Sequence, residues 1–241
     1  MHNKNNKIRV AVLFGGKSGE HEISLISAAS LIKHLDRERF EIVPIVIDKQ
    51  GHWFQLSGDL THLYHGDSLV IPTTNIRRLA LPFLTQYDNT QSHYSLDKAI
   101  DVVFPVMHGP LCEDGAIQGV LEIAGVPYVG PGVLTAAINM DKDIAKKLVK
   151  HAGITTAKHL SLKSTASDAQ RQVFCQQVKQ ILEFPVYVKP VNMGSSVGIS
   201  KVMDEQQLLP ALELAFQFDH KILVEQAVNG REIELAVLEN R

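Results

Sequence analysis

Cysteine is scarce in this chain. Only Cys112 and Cys175 occur, far apart and without a CxxC partner, which argues against a disulfide framework or a thiolate zinc site and fits a reducing cytoplasm. No apolar run approaches the ~20 residues needed to span a bilayer. The N-terminus, MHNKNNKIRVAVLFGG, has a polar head but no small-residue cleavage site, so it reads as a strand rather than a signal peptide. Neither sign of charge is in excess: 24 Lys and Arg against 26 Asp and Glu leave a net charge of −2. With aromatics at 6% and no basic stripe, nothing points to nucleic acid or to an anionic membrane as partner. A Walker A loop is missing too. Gly16-Lys17-Ser18 supplies its last residues, but its first glycine would fall at Ala11. Any phosphate grip must come from elsewhere.

What is present suits a globular chain of 241 residues, 45% hydrophobic and 21% charged, with room for one large or two modest domains. Ile8–Phe14 is a short apolar run closed by Gly15-Gly16, the pattern of a buried parallel strand. Leu25, Ala28, Ala29, Ile32 and Leu35 then keep helical spacing, and Phe40–Ile47 is a second strand. Strand, glycine turn, helix, strand opens a doubly wound α/β layer. Residues 51–98 are mixed polar without a sustained period and read as hairpins and an irregular insertion. Val102–Met107 resumes as a strand, followed by a helix near Gly115–Ala124 and a short strand at Tyr128-Val129. Gly130-Pro131-Gly132 marks a hinge. Beyond it the pattern predicts one helix over Leu134–His151, strands at Ala157–Leu160 and Val186–Lys189, and a helix over Ser167–Leu182 between them. A capping pair, Asp204 with Gln207, precedes a helix bearing Leu208, Leu212 and Phe216. Strands at Ile222–Glu225 and Ile233–Leu238 follow, and no repeat or low-complexity tract interrupts the chain.

Residues 185–232 hold the densest functional signal: FPVYVKPVNMGSSVGISKV, then ILVEQAVNGREIE. An apolar strand ends on Lys189, whose fixed charge can meet phosphate oxygens. Gly194 and Gly198 bracket a small-residue loop, and both are expected to take the φ values that let backbone N–H groups converge on an anion. Glu225 ends the next strand as an acceptor for a ribose hydroxyl or an adenine amino group. Alone, the lysine is an ordinary edge charge and GSSVG an ordinary turn. Joined in this order they suggest a nucleotide site.

Five stretches, VAVLFGGKSGEHEISL, VFPVMHGPLCEDGAIQG, GVPYVGPGVLTAAINMDK, FPVYVKPVNMGSSVGISKV and EQAVNGREIELAVL, resemble the D-alanine–D-alanine ligases of the ATP-grasp superfamily over residues 7–240. The resemblance implies an α/β fold. Residues 1–130 form an N-terminal doubly wound parallel-sheet domain, 131–228 a central ATP-grasp subdomain, and 229–241 the start of a C-terminal ATP-grasp subdomain that is incomplete. It also implies the reaction. ATP phosphorylates the carboxylate of a first D-alanine, and the amine of a second attacks the acyl phosphate, giving D-alanyl-D-alanine for peptidoglycan, with ADP and phosphate.

Residue by residue, the resemblance gives Glu20 the ammonium of the first D-alanine and His108 the wall of that subsite. Ser195 would close the loop over the substrates as a positioner, since no His/Asp pair is spaced to make it a nucleophile. Lys142 and Lys189 would contact phosphate, with Ser196 beside them. Glu225, Gln226 and Val228 would hold the nucleotide near the adenine, and Glu232 the ribose. The Mg2+ or Mn2+ ligands, a phosphoryl-stabilising arginine and a tyrosine-bearing loop are expected beyond the segment matching Glu239. Family members are usually homodimers through the first domain. Three other readings stand beside this one: a ligase making D-alanyl-D-lactate or D-alanyl-D-serine, a non-catalytic fragment, and another ATP-grasp ligase of the glutathione synthetase type.

Overall fold

The computed structural model describes residues 7–57, 64–72, 74, 76–79 and 99–237. The chain divides into two compact units, Met1–Ala145 and Lys146–Arg241.

In the first unit, β1 (Ile8–Gly15) lies between β2 (Phe40–Ile47) and β7 (Val102–Pro105), both parallel to it. β3 (Trp53–Leu56) adds antiparallel to β2, and β6 (Ile76–Leu79) to β3, giving the order β6-β3-β2-β1-β7. β4 (Tyr64–His65) and β5 (Ser68–Leu69) form a separate two-stranded ribbon. These strands meet part of the hairpin reading of 51–98; residues 80–98 lie outside the described residues.

Successive β1 side chains feed two cores. Val10, Val12 and Phe14 pack with Leu25, Ala28, Ala29 and Ile32 of α1 (His21–His34). Ala11 and Leu13 join Ile117 and Leu121 of α2 (Ala116–Ile123). A strand covered by a helix on each side can be apolar throughout, which explains the unbroken run VAVLF. Burying each large side chain of this kind contributes about 1.5–3 kcal/mol.

Two expectations for this unit are corrected. Tyr128-Val129 is no strand; Tyr128 makes a single parallel bridge to Val103. The helix expected over Leu134–His151 breaks at Asp141, whose extended backbone (φ −77, ψ 94) separates α3 (Val133–Met140) from α4 (Lys142–His151). The cause is capping: the Ile144 N–H donates to Asp141 Oδ1 at 2.9 Å, a bond that stabilises a new helix start more than a continued helix.

The second unit is an antiparallel sheet, β10-β9-β11-β8, built from β8 (His159–Lys163), β9 (Val186–Pro190), β10 (Ser200–Val202) and β11 (Lys221–Gln226). α5 (Asp168–Ile181) and α6 (Leu208–Phe216) cover one face. Phe174, Val178, Leu208, Leu212 and Ala215 pack there against Val186, Val188, Val202, Ile222 and Val224. Ser167 and Gln170 form a reciprocal capping box at the start of α5. Asp204 accepts from the Gln206 and Gln207 N–H groups and caps a short 3-10 turn, Glu205–Gln207, ahead of α6. The strand expected at Ile233–Leu238 is not formed over its described part. Residues 231–237 have no regular structure, and Ile233, Leu235 and Val237 are 70%, 86% and 90% exposed. With no described strand beside them, their alternating apolar pattern has nothing to pack on.

Candidate functional site

The predicted residues fall into two groups, one in each unit. In the first unit, β1 is followed in the chain by β2 on one side and, later, by β7 on the other. The crevice beyond the carboxyl ends of β1 and β7 is therefore a topological switch point, where open α/β sheets bind ligands.

Three tethers fix that crevice. Gly15 takes φ +86, and a Cβ there would stand 2.3 Å from the Ile47 carbonyl oxygen, so the turn out of β1 requires glycine. Buried Ser24 accepts from the Gly15 N–H at 2.7 Å and donates to the Val106 carbonyl, stapling α1 to both strands. His21 Nδ1 donates to the Gly16 carbonyl at 2.7 Å, which fixes its tautomer.

Glu20 and His108 are neighbours here, linked through Ser18. Glu20 occupies the N-cap position of α1, where an anion is favoured by the helix dipole. Its N–H donates to Ser18 Oγ at 3.2 Å, and Ser18 Oγ donates to the His108 carbonyl at 2.6 Å. His108 Nε2 shares a 3.0 Å hydrogen bond with Ser27 Oγ, and its Nδ1 lies 3.9 Å from Glu113 Oε1. The rest of HGPLCEDG shapes the loop. The Gly109 N–H donates to Glu113 Oε2 at 2.9 Å, and Asp114 accepts from the Leu111 and Ala116 N–H groups at 2.8 and 3.0 Å. Under this loop Cys112 is 3% exposed. Burial, reinforced by the Asp114, Glu113 and Glu20 charges, pushes its thiol up to about 12, so it is no nucleophile. Sequence reasoning passed over Ser18, Ser27 and Glu113; for Ser18 and Glu113 their place inside the quoted motifs was the available signal, whereas Ser27 lies two residues past the first motif.

In the second unit, the pleat puts Val186, Val188, Ile222 and Val224 against the helices. It turns Tyr187, Lys189 and Glu225 to the opposite face. Register sets Glu225 opposite Tyr187 and Leu223 opposite Lys189, so Lys189 and Glu225 are diagonal neighbours. Lys189 Nζ donates to Glu225 Oε1 at 3.3 Å and sits 5.5 Å from the Tyr187 ring centroid, with Lys201 Nζ at 5.9 Å from the same ring. Glu225 Oε2 pairs with Lys146 Nζ at 3.0 Å. Lys146 was missed. Its signal was the four-residue spacing from Lys142 on one helix.

The loop after β9 departs from expectation. Gly198 has φ +70, and a Cβ there would stand 2.6 Å from the Phe218 ring and 2.8 Å from Pro190 Cγ. Gly194 is not left-handed; Ser195 (φ 47) and Ser196 (φ 59) are. With the Val197 N–H donating to the Gly194 carbonyl at 3.0 Å, the two serines fill the central positions of a primed turn, where both residues need positive φ. Both serine side chains are exposed.

Of the other candidates, Lys142 opens α4. Gln226 closes β11, its N–H donating to the Lys158 carbonyl at 3.0 Å, and Ala227 N–H donates to the Pro185 carbonyl at 3.0 Å. Val228 is 74% exposed, and Glu232 lies in the irregular segment, away from any described strand. Among the described residues no group of three or more His, Cys, Asp or Glu side chains could hold a metal ion, and no helix is long and apolar enough to cross a membrane.

Two family models match the chain. One described as the D-ala D-ala ligase N-terminus matches residues 9–131, and one described as the D-ala D-ala ligase C-terminus matches residues 148–241. The D-alanine–D-alanine ligase A of Bradyrhizobium diazoefficiens is 49% identical over 246 residues, taking in 98% of this chain and 64% of that protein. The crystal structure of the VanG D-Ala:D-Ser ligase from Enterococcus faecalis is similar with a TM-score of 0.77 at 35% identity, over 93% of this chain and 64% of that one. The structure of the D-alanine-D-alanine ligase from Coxiella burnetii gives 0.77 at 31% identity, over 93% and 63%. The chain thus spans under two thirds of the length of these relatives.

Proposed function

This chain belongs to the D-alanine–D-alanine ligase family, and on that premise we propose that it carries the nucleotide grip and first-substrate end of an ATP-dependent ligase joining two D-alanines. In this reading the first D-alanine carboxylate attacks the γ-phosphorus and ADP leaves. The amine of the second D-alanine then attacks the acyl phosphate carbon. A C–N bond forms, the C–O bond to phosphate breaks, and the amine loses its proton. The product feeds peptidoglycan precursor synthesis in the cytoplasm.

The observation that carries the reading is the convergence of Lys189 and Glu225 on the sheet face opposite α5 and α6, 3.3 Å apart, at the start of the loop bearing Ser195 and Ser196. Carboxylate and triphosphate are both anionic, so the chemistry needs neutralised charge and aligned reactants more than a strong base. Lys189 and Lys142 supply positive charge for the phosphates. Glu225, Gln226, Val228 and Glu232 serve the base and ribose, and Ser196 the phosphates. Glu20, set at a helix N-terminus beside His108, pairs with the ammonium of the first D-alanine, while Ser195 positions the closing loop. A divalent cation, Mg2+ or Mn2+, supplies further charge neutralisation to the phosphates when bound. Among the described residues no group of three or more His, Cys, Asp or Glu side chains fits such an ion.

The 49%-identical relative named D-alanine–D-alanine ligase A favours D-alanine over D-serine or D-lactate as second substrate. We also infer division at residues 130 and 228 and a homodimer through the N-terminal domain. Calorimetric titration of this chain with ATP and with GTP tests the nucleotide site; saturable, ATP-selective binding is expected, and no binding counts against it. For the reaction, phosphate release by the chain extended to the length of its relatives should depend on D-alanine. Equal release with D-lactate would exclude the favoured substrate.

A further inference from the structure

We propose that Lys146 is a positioning residue of the nucleotide grip: it neutralises Glu225, so that Lys189 keeps its charge for a phosphate group. This rests on the ATP-site reading and adds to it a residue outside that reading's phosphate-contact set.

The two lysines that share Glu225 are engaged differently. Lys146 Nζ donates to Thr156 Oγ1 at 2.9 Å and to the Ala157 carbonyl at 3.4 Å, and pairs with Glu225 Oε2 at 3.0 Å. An ammonium has three donors, and these three acceptors occupy them. Lys146 has none left for a ligand. Among the described residues Lys189 makes one 3.3 Å bond to Glu225 Oε1 and otherwise rests over Tyr187, which leaves donors for an oxyanion.

Charge balance then gives Lys146 its role. The side chains of Lys146, Lys189 and Glu225 are 20%, 23% and 16% exposed, so their interactions are less screened than those of surface pairs. Two ammonium groups around one carboxylate leave a net positive cluster. Without Lys146, Glu225 and Lys189 would cancel, and a phosphate would compete with the carboxylate for the same ammonium. Lys201, paired in register with Tyr187 and with its Nζ over that ring, and His159, paired in register with Glu225, are further basic groups of this face, as are Lys163 and Lys221 by strand alternation. The Thr156 and Ala157 bonds anchor Lys146 to the chain just before β8, so its charge stays with the carboxylate and does not follow the ligand.

The test is calorimetric titration of the 241-residue chain with ATP and with inorganic tripolyphosphate, which lacks the base and ribose that Glu225 would contact. Lys146→Met should weaken tripolyphosphate binding about tenfold, and Lys146→Arg should recover most of the loss. Glu225→Gln alone should strengthen tripolyphosphate binding, because Lys189 loses its competing carboxylate. The double variant Lys146→Met/Glu225→Gln should regain wild-type affinity, a rescue that a purely structural lysine would not show. Unchanged binding in Lys146→Met, a double variant as weak as the single one, or weaker binding in Glu225→Gln would overturn the proposal while leaving the nucleotide site standing. Wild-type protein that binds neither ATP nor tripolyphosphate would remove the ATP-site reading and this inference together. If Lys146→Met does not fold, Glu225→Gln still decides by the sign of its effect.

Discussion

A Cβ atom placed on Gly109 would lie 2.2 Å from Glu20 Oε2. The Glu20 carboxylate therefore rests directly on the backbone of the loop after β7, and the missing side chain at 109 is part of the Glu20 pocket. Gly109 also has φ +75, so Gly109→Ala meets both a clash and backbone strain. We expect it to cost about 1–3 kcal/mol in urea unfolding. Gly119→Ala is the control: this glycine lies inside α2 with nothing within 4 Å of a built Cβ, and it should gain up to about 1 kcal/mol.

Glu20 and Lys189 should separate the two substrates. In an active, relative-length version of the protein, Glu20→Ala is expected to raise the D-alanine requirement with ATP affinity nearly intact. Lys189→Ala should lower turnover by about two to three orders of magnitude, since one preorganised donor to a developing charge is worth about 3–4 kcal/mol. Steady-state kinetics in both substrates would check this, and parallel damage from the two variants would argue against separate roles.

Cys112 makes stability depend on alkaline pH. Its native thiol keeps its proton up to about 12, whereas the unfolded chain releases it near 9.0. Above that lower value the unfolded state binds fewer protons than the native one, so stability falls as pH rises toward about 12. Tyr64, Tyr128 and Cys175 are raised by burial too and act in the same direction, so the comparison must be with Cys112→Ala. Denaturant unfolding at about pH 8 and about pH 10.5 should show the wild type losing more stability than that variant.

Asp141→Ala removes the side-chain acceptor at the start of α4. A lost N-cap costs about 1 kcal/mol, measurable as a lower thermal midpoint. No change would mean that the break between α3 and α4 is set by something other than this cap.

Much of this was legible in the sequence where local pattern and tertiary demand coincide. The apolar run Val10–Phe14, closed by two glycines, fits a strand buried on both faces followed by a turn, and both are formed. Glu20 and His108 could be singled out because they sit inside long motifs. The failures share a different cause. Asp141 looked like an ordinary helical residue, because its capping bond depends on which side the chain turns. Gly194 was assigned the left-handed role by residue type, yet the primed turn is centred one residue later, on Ser195 and Ser196. The Ile233–Val237 alternation has a strand's period without a described neighbour to pair with. Lys146 escaped notice because its partner, Glu225, lies on a distant strand, and no short window of sequence holds both.

The alternation along β9 has one more consequence. Val186 and Val188 serve the hydrophobic core while Tyr187 and Lys189, interleaved with them, serve the charged face. Substitutions can alter either set alone, so substrate handling and folding can be tuned independently by point changes. Inserting or deleting a single residue upstream in that strand would exchange the two sets at once, burying an ammonium and exposing a valine. A single-residue insertion or deletion within β9 should therefore abolish folding and nucleotide binding together.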